Sequence, residues 1–200
     1  MPQVGGRGQE RLLAARVAII GEIADVSLPL AYLVGAGVGT VLLDMMDGGT
    51  PECRDLIGEM KGLNPEVTVA VHTSGAEYDL GLIFIGSARS RDGAQAANLE
   101  ARASALIAAR LDSPGQIAIT PKRPPCLACI GELLGNFGTK DKNAELVKMV
   151  ATTEALKYLL QPGARASRLQ FDGLASRECE LTVAEACILC TSNVSKEREK

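Results

Sequence analysis

The chain has 200 residues, 46% of them hydrophobic, and a net charge of −3 from 21 basic and 24 acidic residues; that length suits one domain with a full core. The two signs are interspersed, so no basic stripe marks a nucleic-acid partner, and no apolar run nears the roughly 18 residues that would span a bilayer. With no Trp, three Tyr and three Phe, the core has to be built from Ala, Val, Ile and Leu, and 21 glycines, many between apolar runs, point to α/β layers rather than a sandwich.

Residues 1–8 are Gly-rich and are expected to be flexible. They lack the basic-then-apolar order of a signal peptide, so a cytoplasmic protein with reduced thiols is expected. A short helix over 9–16 leads into 17-VAIIG-21, a buried parallel strand. The segment 26-VSLPLAYLVGAGVG-39 has helix length, with Pro29 placed early, where its missing N–H costs little. The run 40-TVLLD-44 is a second buried strand ending in a carboxylate; strand, helix, strand and acid make half of a nucleotide-binding βαβ unit. A helix over 51–63 and a strand over 66–72 follow, then a strand over 79–86, an Ala-rich helix over 91–111 and a strand over 116–120. Residues 143–160 repeat apolar side chains at helical spacing through Leu146, Met149, Val150, Thr153, Leu156 and Leu160, with Asn143 as N-cap and 161-QPG-163 as the stop. The segments 167-SRLQFDG-173 and 178-ECELTV-183 pattern as an antiparallel hairpin, with Glu178 and Glu180 on an exposed strand face. One domain over 9–191 is expected, then a disordered charged tail over 192–200.

Four of the six cysteines form two pairs, 126-CLAC-129 and 187-CILC-190, about sixty residues apart. Thiolates with two residues between them in a tight loop can face one ion, and two such loops complete a tetrahedral four-sulfur shell, the geometry preferred by structural zinc. Cys126, Cys129, Cys187 and Cys190 are therefore the expected zinc ligands, pinning the segment after strand 116–120 to the C-terminal segment. The competing reading is a redox C-x-x-C, which needs one pair rather than two. Cys53 and Cys179 read as small buried thiols. The single histidine, His72, ends a strand and has no nucleophile partner that spacing can identify.

Several segments together resemble one family, MoeB/ThiF/HesA, the relatives of ubiquitin-activating enzymes that adenylate the C-terminal glycine of a ubiquitin-fold sulfur carrier. They are 8-GQERLLAARVAIIG-21, 35-GAGVGTVLLD-44, 64-NPEV-67, 115-GQIAIT-120 and 125-PCLAC-129 with 186-ACILC-190. The resemblance implies a Rossmann-like α/β fold, a mainly parallel sheet flanked by helices with a C-terminal antiparallel hairpin, a four-cysteine zinc and a dimer.

The sequence departs from that pattern where the chemistry should sit. The family's G-x-G-x-x-G loop is 21-GEIADV-26 here; only Gly21 remains, and Glu22 and Asp25 add acids where phosphates would lie. Asp44 matches the ribose-binding acid, but the stretch that should follow it, with its phosphate-binding arginine and lysine, is missing; Arg54 falls on the next helix and does not inherit the role. Gly86, followed by Ser87, stands where the resemblance places a magnesium-holding aspartate, and residues 131–142 hold no cysteine to take an activated carrier. The expected protein is therefore a shortened, degenerate member that has lost adenylation, binding neither ATP nor magnesium. It would serve as a partner of a ubiquitin-fold sulfur carrier or of an active ThiF-like paralogue, as a homodimer or heterodimer, in thiamine, molybdopterin or tungstopterin biosynthesis or in sulfur transfer. One alternative is an active adenylyltransferase using Asp44, Asp47, Lys122 and Arg123. The other is an NAD-binding Rossmann protein using Asp44.

Overall fold

The computed structural model describes residues 5–44, 50–71, 76–85, 99–112, 114–120, 126, 129, 143–163, 166–172 and 175–181. Along the chain these form α1 (Gly6–Ala14), β1 (Arg16–Ile20), α2 (Ile23–Gly35), β2 (Thr40–Asp44), α3 (Pro51–Leu63), β3 (Thr68–Val71), β4 (Leu80–Ile85), β5 (Leu106–Arg110), β6 (Gln116–Thr120), α4 (Ala144–Leu160), β7 (Ser167–Asp172) and β8 (Ala175–Glu180). One eight-stranded sheet runs β3-β2-β1-β4-β5-β6-β7-β8. The first five strands in that order are parallel, and β6, β7 and β8 each pair antiparallel with the strand before them. The chain winds outward from β1 to β3 and then returns to place β4 on β1's other side. This strand order reverses at the β1/β4 boundary, as in doubly wound nucleotide-binding folds.

The core lies mainly on one face of the sheet, where Leu12 of α1, Val26, Leu30 and Leu33 of α2, Leu56 of α3 and Val147, Ala151 and Ala155 of α4 meet Val17, Ile19, Val41, Leu43, Leu82, Phe84 and Ile107. A smaller apolar cluster on the other face contains Ala18, Ile20, Leu42, Ile83, Ala108 and Ala118 with Tyr78, Leu99 and Leu181. Both faces of the central strands are thus buried, which is why 17-VAII-20 and 41-VLL-43 read as continuous apolar runs rather than alternations. No helix among the described residues is long and apolar enough to cross a membrane.

The structure departs from several sequence expectations. Residues 106–110, expected to close an Ala-rich helix, form β5, buried at all five positions between β4 and β6. Ala favours helix in isolation, but here small apolar side chains fit a strand covered on both faces. α2 starts at Ile23, so Pro29 lies in mid-helix and denies the Asp25 carbonyl its helical N–H. α1 begins at Gly6, inside the segment expected to be flexible. α4 buries Ala144, Val147, Lys148, Ala151, Thr152, Ala155, Leu156 and Leu159, so of the six expected face residues only Leu156 is fully buried. The alanines let this helix lie close to the sheet and to α2, and Leu146, Val150 and Leu160 pack at the margin of the core. Asn143 sits at its N-cap without a capping side-chain bond. The second hairpin strand runs over Ala175–Glu180, earlier than the expected 178–183.

Candidate functional site

In a sheet that reverses order between β1 and β4, the ligand cleft belongs beyond the carboxyl ends of those strands. Three described features border it here: the β1–α2 turn with Gly21 and Glu22, the first turn of α2, and Asp44 at the end of β2, in register with Ile20 of β1. Asp44 is half-buried, and this position suits the ribose-binding acid that the sequence suggests.

The β1–α2 turn is packed tightly. A Cβ on Gly21 would come within 2.8 Å of Val26 Cγ1 and 3.2 Å of Phe84 Cβ, so glycine is required there for close approach of the turn to α2 and β4. Ile23 and Val26 occupy the other two glycine positions of the family's loop. Val26 is fully buried, and Ile23 packs against the core. Glu22 is the N-cap of α2, without a side-chain capping bond. Its carbonyl accepts the backbone N–H of Asp25 at 2.8 Å and of Val26 at 3.0 Å. The Asp25 amide, one of the donors a helix N-terminus normally presents to an anion, is therefore already used inside the turn.

Asp25 does not point its charge at the cleft as the sequence suggested. Its side chain is buried, and its Oδ1 lies 3.0 Å from Lys148 Nζ of α4, whose side chain is 1% exposed. The Lys148 ammonium also donates to Glu145 Oε1 at 2.8 Å and to the Ala24 carbonyl at 3.1 Å. Burial alone would depress the Lys148 pKa; the hydrogen bonds to Glu145 and Asp25, and then their charges, outweigh it and hold the pKa above its ordinary value. The ammonium has three hydrogens and three acceptors, so the cation is satisfied. Sequence periodicity missed this residue because a lysine inside an apolar helix stripe reads as solvent-facing. Its partner lies on another helix, far off in the chain.

Of the four expected zinc ligands, two are described. Cys126 and Cys129 are both buried and neither is in a disulfide. Their sulfurs lie 3.8 Å apart. Thiolates about 2.3 Å from a tetrahedral ion are separated by roughly 3.8 Å, so this pair has the edge length of a four-sulfur zinc shell. Among the described residues no group of three or more His, Cys, Asp or Glu side chains gathers around a common point; Cys187 and Cys190 lie outside the described residues, as do Asp47, His72, Gly86, Ser87, Lys122 and Arg123. Cys53 is buried in the core, where burial pushes its thiol pKa up, and Cys179 is half-buried on β8 opposite Arg168. Glu178 is exposed on the same strand.

The strand order and the β1/β4 switch point define a doubly wound α/β protein. No protein-family model matches the chain. It is 40% identical over 79 residues to the adenylyltransferase and sulfurtransferase uba4 of Aspergillus fumigatus, a match covering 39% of this chain and 15% of that protein. It is 31% identical over 86 residues to the SAMP-activating enzyme E1 of Haloferax volcanii, covering 34% of this chain and 32% of that one. The chain thus matches less than a third of the length of either relative. Among solved structures, E. coli MccB with ATP superposes with a TM-score of 0.68 at 12% identity, over 92% of this chain and 69% of MccB. The chain is thus similar in sequence, over roughly two fifths of its length, to two activating enzymes of the kind the resemblance names, and similar in fold over nearly all of it to MccB.

Proposed function

We propose that the chain is a zinc-stabilised MoeB/ThiF-type scaffold that has given up ATP-dependent adenylation. It acts in the cytoplasm as an accessory or binding partner of a ubiquitin-fold sulfur carrier or of an active relative. The relatives it resembles over part of its length are named for activating and sulfur-transferring roles, which supports that setting. The observation that carries the loss of activity is the first turn of α2. Two of the loop's three glycine positions hold core-packed Ile23 and Val26, and the Asp25 amide is consumed by Glu22. Adenylation works by neutralising phosphate charge on backbone amides and cations, and this turn puts core-packed side chains where the loop needs glycines, uses the Asp25 amide internally and holds no cation of its own. Lys148, the one buried cation close to it among the described residues, is committed to Asp25 and Glu145.

Calorimetric titration of zinc-loaded protein with Mg-ATP, together with pyrophosphate exchange into ATP, tests this reading. The expected results are no saturable heat and no exchange, alongside binding of a ubiquitin-fold carrier in the same preparation. Tight, magnesium-dependent ATP binding would favour the second reading, an active adenylyltransferase using Asp44, Asp47, Lys122 and Arg123. The placement of Asp44 at the carboxyl end of β2 is the observation that keeps that reading in play. NAD should leave thermal stability unchanged, since its pyrophosphate needs the same cradle.

A further inference from the structure

A second concave site lies at the opposite edge of the sheet, at the amino ends of the parallel strands. There α1, the last turn of α4 and the starts of β1 and β4 border a cleft of about 320 Å³, within the size range of small-ligand sites. Its apolar lining includes Ala15 and Leu159, and four polar side chains surround it: Arg11, Asp79, Ser104 and Tyr158.

The two charged groups are each fixed by a single bond that leaves the rest of the group open. Asp79 Oδ2 accepts the Arg16 backbone N–H at 2.8 Å, and Oδ1 has no partner among the described residues. Arg11 donates one Nη1–H to the Leu160 carbonyl, at the end of α4, leaving the rest of its five-donor fork uncommitted among the described residues. Burial and then the charge of Asp79 push the Tyr158 phenol pKa up, so the hydroxyl keeps its proton and can donate. One held anion and one held cation thus flank an apolar wall. A ligand with a single charge meets one of them and leaves the other unmatched; a zwitterion meets both.

We propose that this cleft binds a small zwitterion of the free α-amino-acid class. Its ammonium sits on Asp79 and its carboxylate on Arg11, and its side chain lies against Ala15 and Leu159. The bound molecule bridges α1 to the start of β4. Nothing in this site depends on the nucleotide edge, so its test is independent of the adenylation question.

The experiment screens the proteinogenic amino acids singly against the full chain by ligand-observed NMR and quantifies hits by calorimetry. At least one amino acid is expected to bind saturably. Its decarboxylated amine and its deaminated acid should each bind at least tenfold more weakly. Asp79→Asn, which keeps an acceptor for the Arg16 N–H, and Arg11→Gln should each weaken binding at least tenfold, with circular dichroism unchanged. Absence of saturable binding by every amino acid at millimolar concentration overturns the proposal. So does a hit whose amine alone binds equally well, or one held equally by the Asp79→Asn protein.

Discussion

At the scale of single residues, the most consequential side chain is Lys148. Its stem and ammonium are enclosed, and it joins α4 to the first turn of α2 through Asp25 and the Ala24 carbonyl. Removing one member of a buried pair strands the other charge, at a cost of about 3–5 kcal/mol, whereas replacing both by apolar groups is often neutral. Lys148→Met should therefore destabilise the protein by about that much in urea unfolding, and Asp25→Leu in the same chain should restore most of the loss. Glu145→Gln should cost under about 1 kcal/mol, because that carboxylate is 65% exposed. The pair also sets a pH dependence. Lys148's pKa is raised on folding, so its contribution is fully present below the ordinary lysine value of about 10.4 and is lost as pH climbs through the higher folded value. Wild-type stability should fall on that alkaline limb, and the doubly substituted protein should lack this component.

At the scale of elements, what was legible in the sequence followed local pattern. β2 and α3 fall at the residues their patterns indicate, Thr40–Asp44 and Pro51–Leu63, the latter because Thr50 caps the Cys53 N–H ahead of Pro51. β5 was not legible, since its Ala-rich sequence favours helix and only pairing with β4 and β6 makes it a strand. Nor was the burial of Lys148, whose partner is supplied by tertiary contact. Of the metal site expected from the cysteine spacing, the described residues include only Cys126 and Cys129, whose sulfurs lie 3.8 Å apart; Cys187 and Cys190 lie outside the described residues. Glycines divide along the same line. In α3, a Cβ at Gly58 would meet nothing within 4 Å, so Gly58→Ala should stabilise by about 0.5–1 kcal/mol through helix propensity and unfolded-state entropy. A Cβ at Gly39, just before β2, would land on the Leu13 carbonyl oxygen, a backbone atom that cannot step aside. Gly39→Ala should therefore cost at least about 2 kcal/mol, and thermal unfolding of the two variants should shift in opposite directions.

At the scale of the whole molecule, the proposed zinc site makes the two C-x-x-C pairs the point to test. If Cys126, Cys129, Cys187 and Cys190 close one zinc shell, the segment after β6 and the segment after β8 are tied through a single ion, and each thiolate is needed for all of it. Loss of any ligand should then have the same effect as loss of the metal. Cys126→Ser and Cys187→Ser should each lower the melting temperature by at least about 5 °C, and the double variant should fall no further than either alone. Chelation of the wild-type protein should produce the same drop, and cobalt substitution should give one ion per chain with the absorption of tetrahedral thiolate. Two independent thiol pairs behave differently: their losses add, and substituting one pair leaves the other's contribution and any cobalt binding by it unchanged. The double variant is the decisive measurement, since additivity would separate the two segments and remove the zinc from the proposed scaffold while leaving the sheet and its β1/β4 switch point intact.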